Sequence, residues 1–430
     1  MPGNTINNLA KKSVQLVTKS GILIVCYAFP PYPGIGGRRW AKFATELYKR
    51  GHNVHVIASQ NPFPSASIWT EETQHIPQTR LPLNYPPALI LFPKGILGKI
   101  NYNISLILVK LMSKGNYFDR TIFWEKALKT EIRKLIKAEG LNNVVISGAP
   151  FYMLKIGSEL KKEFPDTTFI ADLRDPWTSN QSAYGFGTIS KKRLLLEREW
   201  ERGVFEHFDR VISVNTGMTR YFQSIYGNGT KKFLTIPNGY DPSEMALLEE
   251  TDTRFDPNNL NLVFAGSFYE NAIYLYDNLI GALKRLMELQ PRIHFYFYGP
   301  NFDRLKSRTP KEVEKYFSFG WVDSIAKTNA LIKAADLAML FLTDDINNSF
   351  STKFCEYIKC KKPIVLFAKT GETSDFIVQS KLGFAISPGT EFNAIQELLR
   401  VGKGFQFPPD FNETEYAIPA LTDQLEKLLK

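Results

Sequence analysis

The sequence predicts an α/β protein of two doubly wound, parallel-sheet domains, and three observations carry that reading. Apolar strand runs alternate with helical periodicity in both halves. Gly21 to Tyr27, Val144 to Ser147 and Thr167 to Ala171 are strand runs of the first half; Leu262 to Ala265, Ile293 to Tyr298 and Leu337 to Leu342 are those of the second. Such alternation builds parallel sheets. The 430 residues exceed one ordinary domain, and 44% hydrophobic content is enough for two cores. Between the halves, Asn238-Gly239 is turn chemistry, followed by a polar, acidic stretch to Asn259. The boundary is expected near Asp241, giving a first domain over 1–240 and a second over 241–411.

Composition bounds the function. Three cysteines, Cys26, Cys355 and Cys360, make no disulfide framework, and the last two point to different faces of one predicted helix. That usage suits a reducing cytosol. The first 20 residues hold no continuous apolar core, so no signal peptide is expected, and no later run is read as long enough to span a bilayer. A net charge of +10 favours anionic partners, whether nucleic acid, a membrane face or phosphorylated substrates. No nucleic-acid motif accompanies the charge.

In chain order, the first strand run feeds a loop rich in Pro and Gly, Ala28 to Gly37. Trp40, Phe43, Ala44, Leu47 and Tyr48 then fall at helical spacing, Gly51 stops the helix, and Asn53 to Ala58 is the next strand. Gly36-Gly37 would let backbone approach a ligand, with Arg38 bringing charge; a Gly-rich turn with solvated arginines is the plain alternative. Pro62 to Pro93 reads as irregular. From Lys94 to Lys137 apolar residues alternate with lysines, a pattern fitting either core helices with solvated charges or an element lying on an anionic membrane.

The strand Thr167 to Ala171 ends in Asp172-Leu173-Arg174-Asp175-Pro176-Trp177. Carboxylates and a guanidinium at a strand end are where an α/β enzyme places chemistry, and a salt-bridged loop anchored by a buried Trp is the structural alternative. Leu194 to His207 reads as a charged helix and Arg210 to Val214 as a strand. In the second half, Ala265-Gly266-Ser267 ends a strand, Phe319-Gly320-Trp321-Val322 follows another, and Tyr416 to Leu429 is an amphipathic helix. Asp344-Asp345 has no His or Cys beside it, so no metal is assigned.

The stretch from Asn347 to Phe367 concentrates the chemistry. Asn347, Asn348 and Ser349 end an apolar run. Ser351 or Thr352 can cap the following helix and leave first-turn amides for an anion. Lys353 and Glu356, three apart, share a face. After Lys361-Lys362, Pro363 leads into the buried strand Ile364 to Phe367.

This stretch resembles the donor-binding helix of family 4 of the retaining glycosyltransferases, group 1 type, which often reads P-x-K-x-x-E-Y-hydrophobic and then K-P-hydrophobic. Ser351-Thr352-Lys353, Glu356-Tyr357 and Lys362-Pro363 match it. Asp172 to Trp177 resembles the D-x-R-D-P-W motif of a bacterial subgroup, and Ile236 to Asp241 resembles the I-P-N-G-hydrophobic-D marker that closes the first domain. The resemblance spans nearly the whole chain. It implies the GT-B fold, two Rossmann-like domains facing a central cleft, with the C-terminal segment 412–430 crossing back to the first.

The implied activity moves a sugar with retention from a nucleotide-diphosphate sugar to a glycan or lipid-linked acceptor, in bacterial surface polysaccharide or glycolipid assembly. The enzyme would be cytoplasmic or on the inner face of the plasma membrane, without a cofactor or metal. Donor contacts would fall on Gly36, Gly37, Arg38, Gly266, Ser267, Trp321, Val322, Ser351, Thr352, Lys353 and Glu356, with Glu356 accepting from the ribose hydroxyls. Asp175, Arg174 and Lys353 would carry the chemistry. Three departures stand out. Relatives often carry His where this chain has Gly148 to Met153, Gly-Arg and then Lys where it has Gly266-Ser267 and no lysine before Lys284, and a glutamate at Asn348. The alternatives are a nucleotide-sugar epimerase of the same fold and a non-catalytic nucleotide-sugar-binding relative.

Overall fold

A computed structural model of the chain describes residues 19–91, 93–113, 116, 118–179, 186–227, 232–245, 255–300, 302–322, 324–344 and 350–430. Asp345, Asn347, Asn348 and Ser349, singled out above, lie outside them, as do residues 246–254 of the acidic linker and the chain before residue 19.

Seven strands form the first sheet: β1 (Gly21–Cys26), β2 (Asn53–Ser59), β3 (Gln78–Leu81), β4 (Asn143–Gly148), β5 (Thr168–Leu173), β6 (Arg210–Ser213) and β7 (Phe233–Thr235). Their order is β3-β2-β1-β4-β5-β6-β7, and every pairing is parallel. Six more form the second sheet: β8 (Leu260–Ala265), β9 (Ile293–Tyr298), β10 (Phe317–Gly320), β11 (Leu337–Phe341), β12 (Ile364–Phe367) and β13 (Gly383–Ile386). They run β10-β9-β8-β11-β12-β13, again all parallel. The apolar runs are buried on both faces, as a sheet sandwiched between helices requires: all six residues of β4, β5 and β8 are buried. Strand order reverses at β1/β4 and at β8/β11, the two places where such sheets open a crevice at their carboxyl ends.

Local chemistry explains the flanking helices. In Arg38–Lys49, Trp40, Phe43, Ala44 and Leu47 are buried in one cluster with Ile22 and Ile24 of β1. The same cluster takes in Leu421 and Leu425 of the helix Ile418–Glu426 and Leu428 beyond it, so the chain's end packs on the first domain. Arg50 fastens it there through Glu426 and Asp423, each at 2.6 Å.

Three segments differ from the reading of the sequence. The proline-rich stretch contains β3, a four-residue edge strand. Two short helices, Thr70–Thr73 and Ala88–Leu91, flank it. The helix Lys191–His207 does not solvate all its charges: Arg193, Glu197 and Glu201 are buried, with Arg193 paired to Glu197 at 2.6 Å. Between Lys94 and Lys137 the two helices behave differently. Glu125–Glu139 turns Leu128, Ile132 and Leu135 into the first core, whereas Gly95–Met112 buries only Ser105 and Val109. Contrary to expectation, that second helix is long and apolar enough to cross a membrane by length and composition.

Candidate active site

The carboxyl ends of the two sheets face each other across a cleft of about 320 Å³. The first domain contributes Gly36 from the loop after β1 and Arg174-Asp175 after β5; the second contributes Tyr269 after β8 and Phe350 to Lys353. A smaller chamber of about 210 Å³ shares Arg38, Thr352 and Lys353 with it and reaches Glu356, Tyr357 and Trp69.

Lys353 is the group most exposed to consequence. The helix Thr352–Lys359 begins at Ser351, whose hydroxyl accepts from the Phe354 amide at 3.3 Å, so the lysine rises from the first turn. Its ammonium lies 5.2 Å from the Phe264 ring and 5.5 Å from Tyr269. The side chain crosses the backbone of Gly266, where an added Cβ would stand 2.8 Å from Lys353 Cε and where φ is +115°. The positive φ is what favours glycine at that strand end, since the lysine tip could move aside for a Cβ. No carboxylate among the described residues pairs with Lys353, and burial pulls its pKa down to about 8. A half-buried lysine with no counterion among the described residues, at a helix start, is suited to receive an anion.

That depressed pKa has a definite sign. A lysine titrating lower in the folded than in the unfolded chain binds fewer protons when folded, so its share of stability rises as pH climbs from about 8 toward 10.5. An anion bound to the ammonium reverses the shift and takes up a proton. Affinity for a nucleoside diphosphate is therefore expected to be flat below pH 8 and to fall by up to about tenfold per pH unit above it. Calorimetry in two buffers checks this, and a flat profile through pH 9.5 would contradict it.

Glu356 does not pair with Lys353, its neighbour on the helix face. Its carboxylate takes Arg38 of the first domain at 2.9 Å and Lys359 one turn on. Arg38 is buried, binding also Glu244 at 3.0 Å and the Gly239 carbonyl at 2.8 Å. Arg38 thus ties the two domains together, and the expectation that it carries charge to the donor is corrected to that extent. Lys42, one turn further along, joins Glu72, Asp241 and Glu244. Burial raises the Glu244 carboxyl, but Arg38, Lys42 and Lys359 outweigh it and hold the group below the usual carboxylate range. The sequence reading missed Glu244 and Lys42. Lys42 carried a signal, since Arg38 and Lys42 sit at i,i+4 on one helical face; Glu244 had none. Glu356→Ala is expected to cost about 1.5–3 kcal/mol, the worth of a hydrogen bond to a charged group, because Arg38 stays buried. An unchanged denaturation midpoint would show that Glu244 alone holds Arg38.

The Asp172 motif divides into anchor and edge. Asp172 is fully buried, accepting from Arg39 at 3.1 Å, Trp40 at 2.8 Å and Ser147 at 2.8 Å. Trp177 is also fully buried; its indole donates to Glu197 at 2.8 Å and stacks on Phe151 at 5.1 Å. Between these anchors, Arg174 and Asp175 line the cleft. The Arg174 guanidinium donates to the carbonyls of Gly36 at 2.6 Å, Gly148 at 3.4 Å and Ala149 at 3.3 Å, fastening the Gly-rich loop to the end of β4.

The remaining sequence-predicted residues separate. Gly36 lines the cleft, while Gly37 is buried against the Ala28 backbone. Ser267 is exposed. Trp321 is 63% exposed, and neither it nor Val322 lines the two chambers. Asp344 bonds Lys369 at 2.5 Å.

Comparison with known proteins places this geometry. Residues 259–401 match the family model of glycosyl transferases group 1. The fold is similar to sucrose-phosphate synthase from Thermosynechococcus elongatus, with 14% identity, 95% of this chain and 98% of that one covered, and a TM-score of 0.63. It is similar also to WaaG, a glycosyltransferase involved in lipopolysaccharide biosynthesis (13%, 95% and 99%, 0.55). A third is the E. coli trehalose-6-phosphate protein bound with UDP-2-fluoro glucose (11%, 95% and 99%, 0.61). No curated protein matches the sequence. Two facing parallel sheets of this kind are the GT-B fold. With its group 1 domain, the protein is a glycosyltransferase.

Proposed function

We propose that the protein is a retaining glycosyltransferase of family 4 that moves a sugar from a nucleotide-diphosphate donor to an acceptor hydroxyl, without a metal, at the cytoplasmic face of a bacterial membrane. Its product would be a surface polysaccharide or glycolipid. The observation that carries the reading is Lys353, a half-buried ammonium with no carboxylate partner among the described residues, at a capped helix start in the interdomain cleft. Loss of the diphosphate is the charge-developing step, and preorganised cationic donors in a water-poor cleft stabilise it most. The diphosphate would lie against Lys353 and the first-turn amides, with the ribose toward Glu356 in the smaller chamber. Asp175, on the opposite wall, would face the acceptor. That a UDP-sugar analogue binds the E. coli neighbour on this fold supports the donor class.

A thermal-shift screen against UDP, GDP, dTDP and ADP sugars tests the proposal, since a ligand at about 100 times its Kd adds about 2.7 kcal/mol to the folded state. One nucleotide series is expected to raise Tm, and product from that donor is expected to keep the donor's anomeric configuration by NMR. Inversion would remove the retaining assignment; interconversion of free nucleotide sugars would favour an epimerase.

A further inference from the structure

The geometry points to the helix Gly95–Met112 as a docking element that lies flat in an anionic membrane surface and holds the cleft against it. The inference rests on the reading above for why a membrane would matter, but not for the binding itself. Tyr102, Leu106 and Val109 form the inner face, packed with Tyr85, Leu89 and Ile90. The outer face is apolar and, among the described residues, uncovered: Ile96 is 80% exposed, Leu97 82% and Leu111 73%, with Ile100, Ile104, Ile107, Leu108 and Met112 exposed alongside them. A stripe this long on a chain with two full cores elsewhere marks an interaction surface.

Charge selects the occupant. Lys94, Lys99 and Lys110 flank the apolar face, and the sequence has no acidic residue between Glu72 and Asp119. Apolar residues with lysines and no carboxylates fit the interface of an anionic bilayer, where lysine ammoniums meet headgroups.

Topology decides between lying and crossing. The strand β3 before the helix and the helix Glu125–Glu139 after it both pack into the first domain, the latter with Leu23 and Val25 of β1 in one cluster. A single crossing would put those two on opposite sides of the bilayer. The helix therefore lies in the surface. Its base meets the acceptor side of the site: Phe63, packed against this helix's cluster, contacts Tyr32, and Tyr32 shares the loop after β1 with Gly36 of the cleft. A lipid-linked acceptor held in the same leaflet would be presented to the Asp175 wall.

The test uses the full chain and vesicles of phosphatidylcholine with or without about a third phosphatidylglycerol, with no donor present. The wild type is expected to sediment with anionic vesicles, less so at high salt. The triple change Leu97→Ser, Ile104→Ser, Leu108→Ser is expected to lower that partition by at least about tenfold with Tm unchanged, because these side chains are exposed. Lys94→Glu with Lys99→Glu is expected to abolish the preference for anionic lipid. Equal sedimentation of wild type and triple variant, or none by the wild type, would overturn the inference. So would a dimer in ultracentrifugation that the triple variant breaks, which would assign the face to a second copy. Donor-induced Tm shifts, read without vesicles, report separately on the glycosyltransferase reading.

Discussion

Asp175→Asn is expected to reduce glycosyl transfer by at least about a hundredfold, the lower range for losing a positioned acid or base, while donor affinity and Tm stay near those of the wild type. The expectation follows from how its loop is built. Asp172 is fully buried and multiply bonded, Trp177 is fully buried with its indole bonded to Glu197, and Arg174 is fixed by three carbonyls. The loop is thus anchored on both sides of Asp175. Asp175 lines the cleft on the wall opposite Lys353, where a carboxylate can orient an acceptor hydroxyl or take its proton. Gly148 to Met153, nearby, contains no histidine, and its backbone is held by Arg174 and by Asp119. Asparagine preserves shape and most hydrogen bonds. Near-normal transfer in the variant would remove Asp175 from the mechanism, and a large fall in Tm would make it a loop-fixing residue.

The second large effect is expected at Lys353. Lys353→Met keeps length and much of the packing against Phe264 and Tyr269 but deletes the charge. Transfer is expected to fall by about 10²–10³, the loss found when one preorganised donor is removed from a developing anion, and nucleoside diphosphate affinity is expected to fall with it. Stability should move the other way. The ammonium is desolvated with no carboxylate partner among the described residues, so its removal is expected to leave Tm unchanged or raised. A lysine that serves the fold would give the opposite pattern, a lower Tm with donor affinity retained.

How far the sequence revealed this site depends on how local each feature is. The Ser351 cap, the helix after it and β12 depend on neighbouring residues alone, and the observed helix Thr352–Lys359 follows from them. The alternation of strand and helix likewise marked the central strands of both sheets, because their runs are apolar on both faces. β3 was missed since Gln78, Thr79 and Arg80 are only half-buried at a sheet edge and carry no apolar run. The partners of Glu356 could not be read at all: spacing offers Lys353, but Arg38, 318 residues away, takes the carboxylate once the domains meet. Arg193 and Glu197 show the same limit, as their charge suggested solvent and their mutual bond permits burial. For Gly95–Met112 the alternating lysines favoured core helices with solvated charges over a membrane surface, and the exposed outer face departs from the core-helix reading.

A crystal structure with the nucleoside diphosphate selected by the thermal-shift screen tests the central claim most directly. Diphosphate oxygens are expected within about 3 Å of Lys353 Nζ and of the amides that open its helix, the reach of a charge-assisted hydrogen bond, with the ribose beside Glu356. A nucleotide bound away from the cleft, or one in the cleft with Lys353 still unpaired, would contradict it.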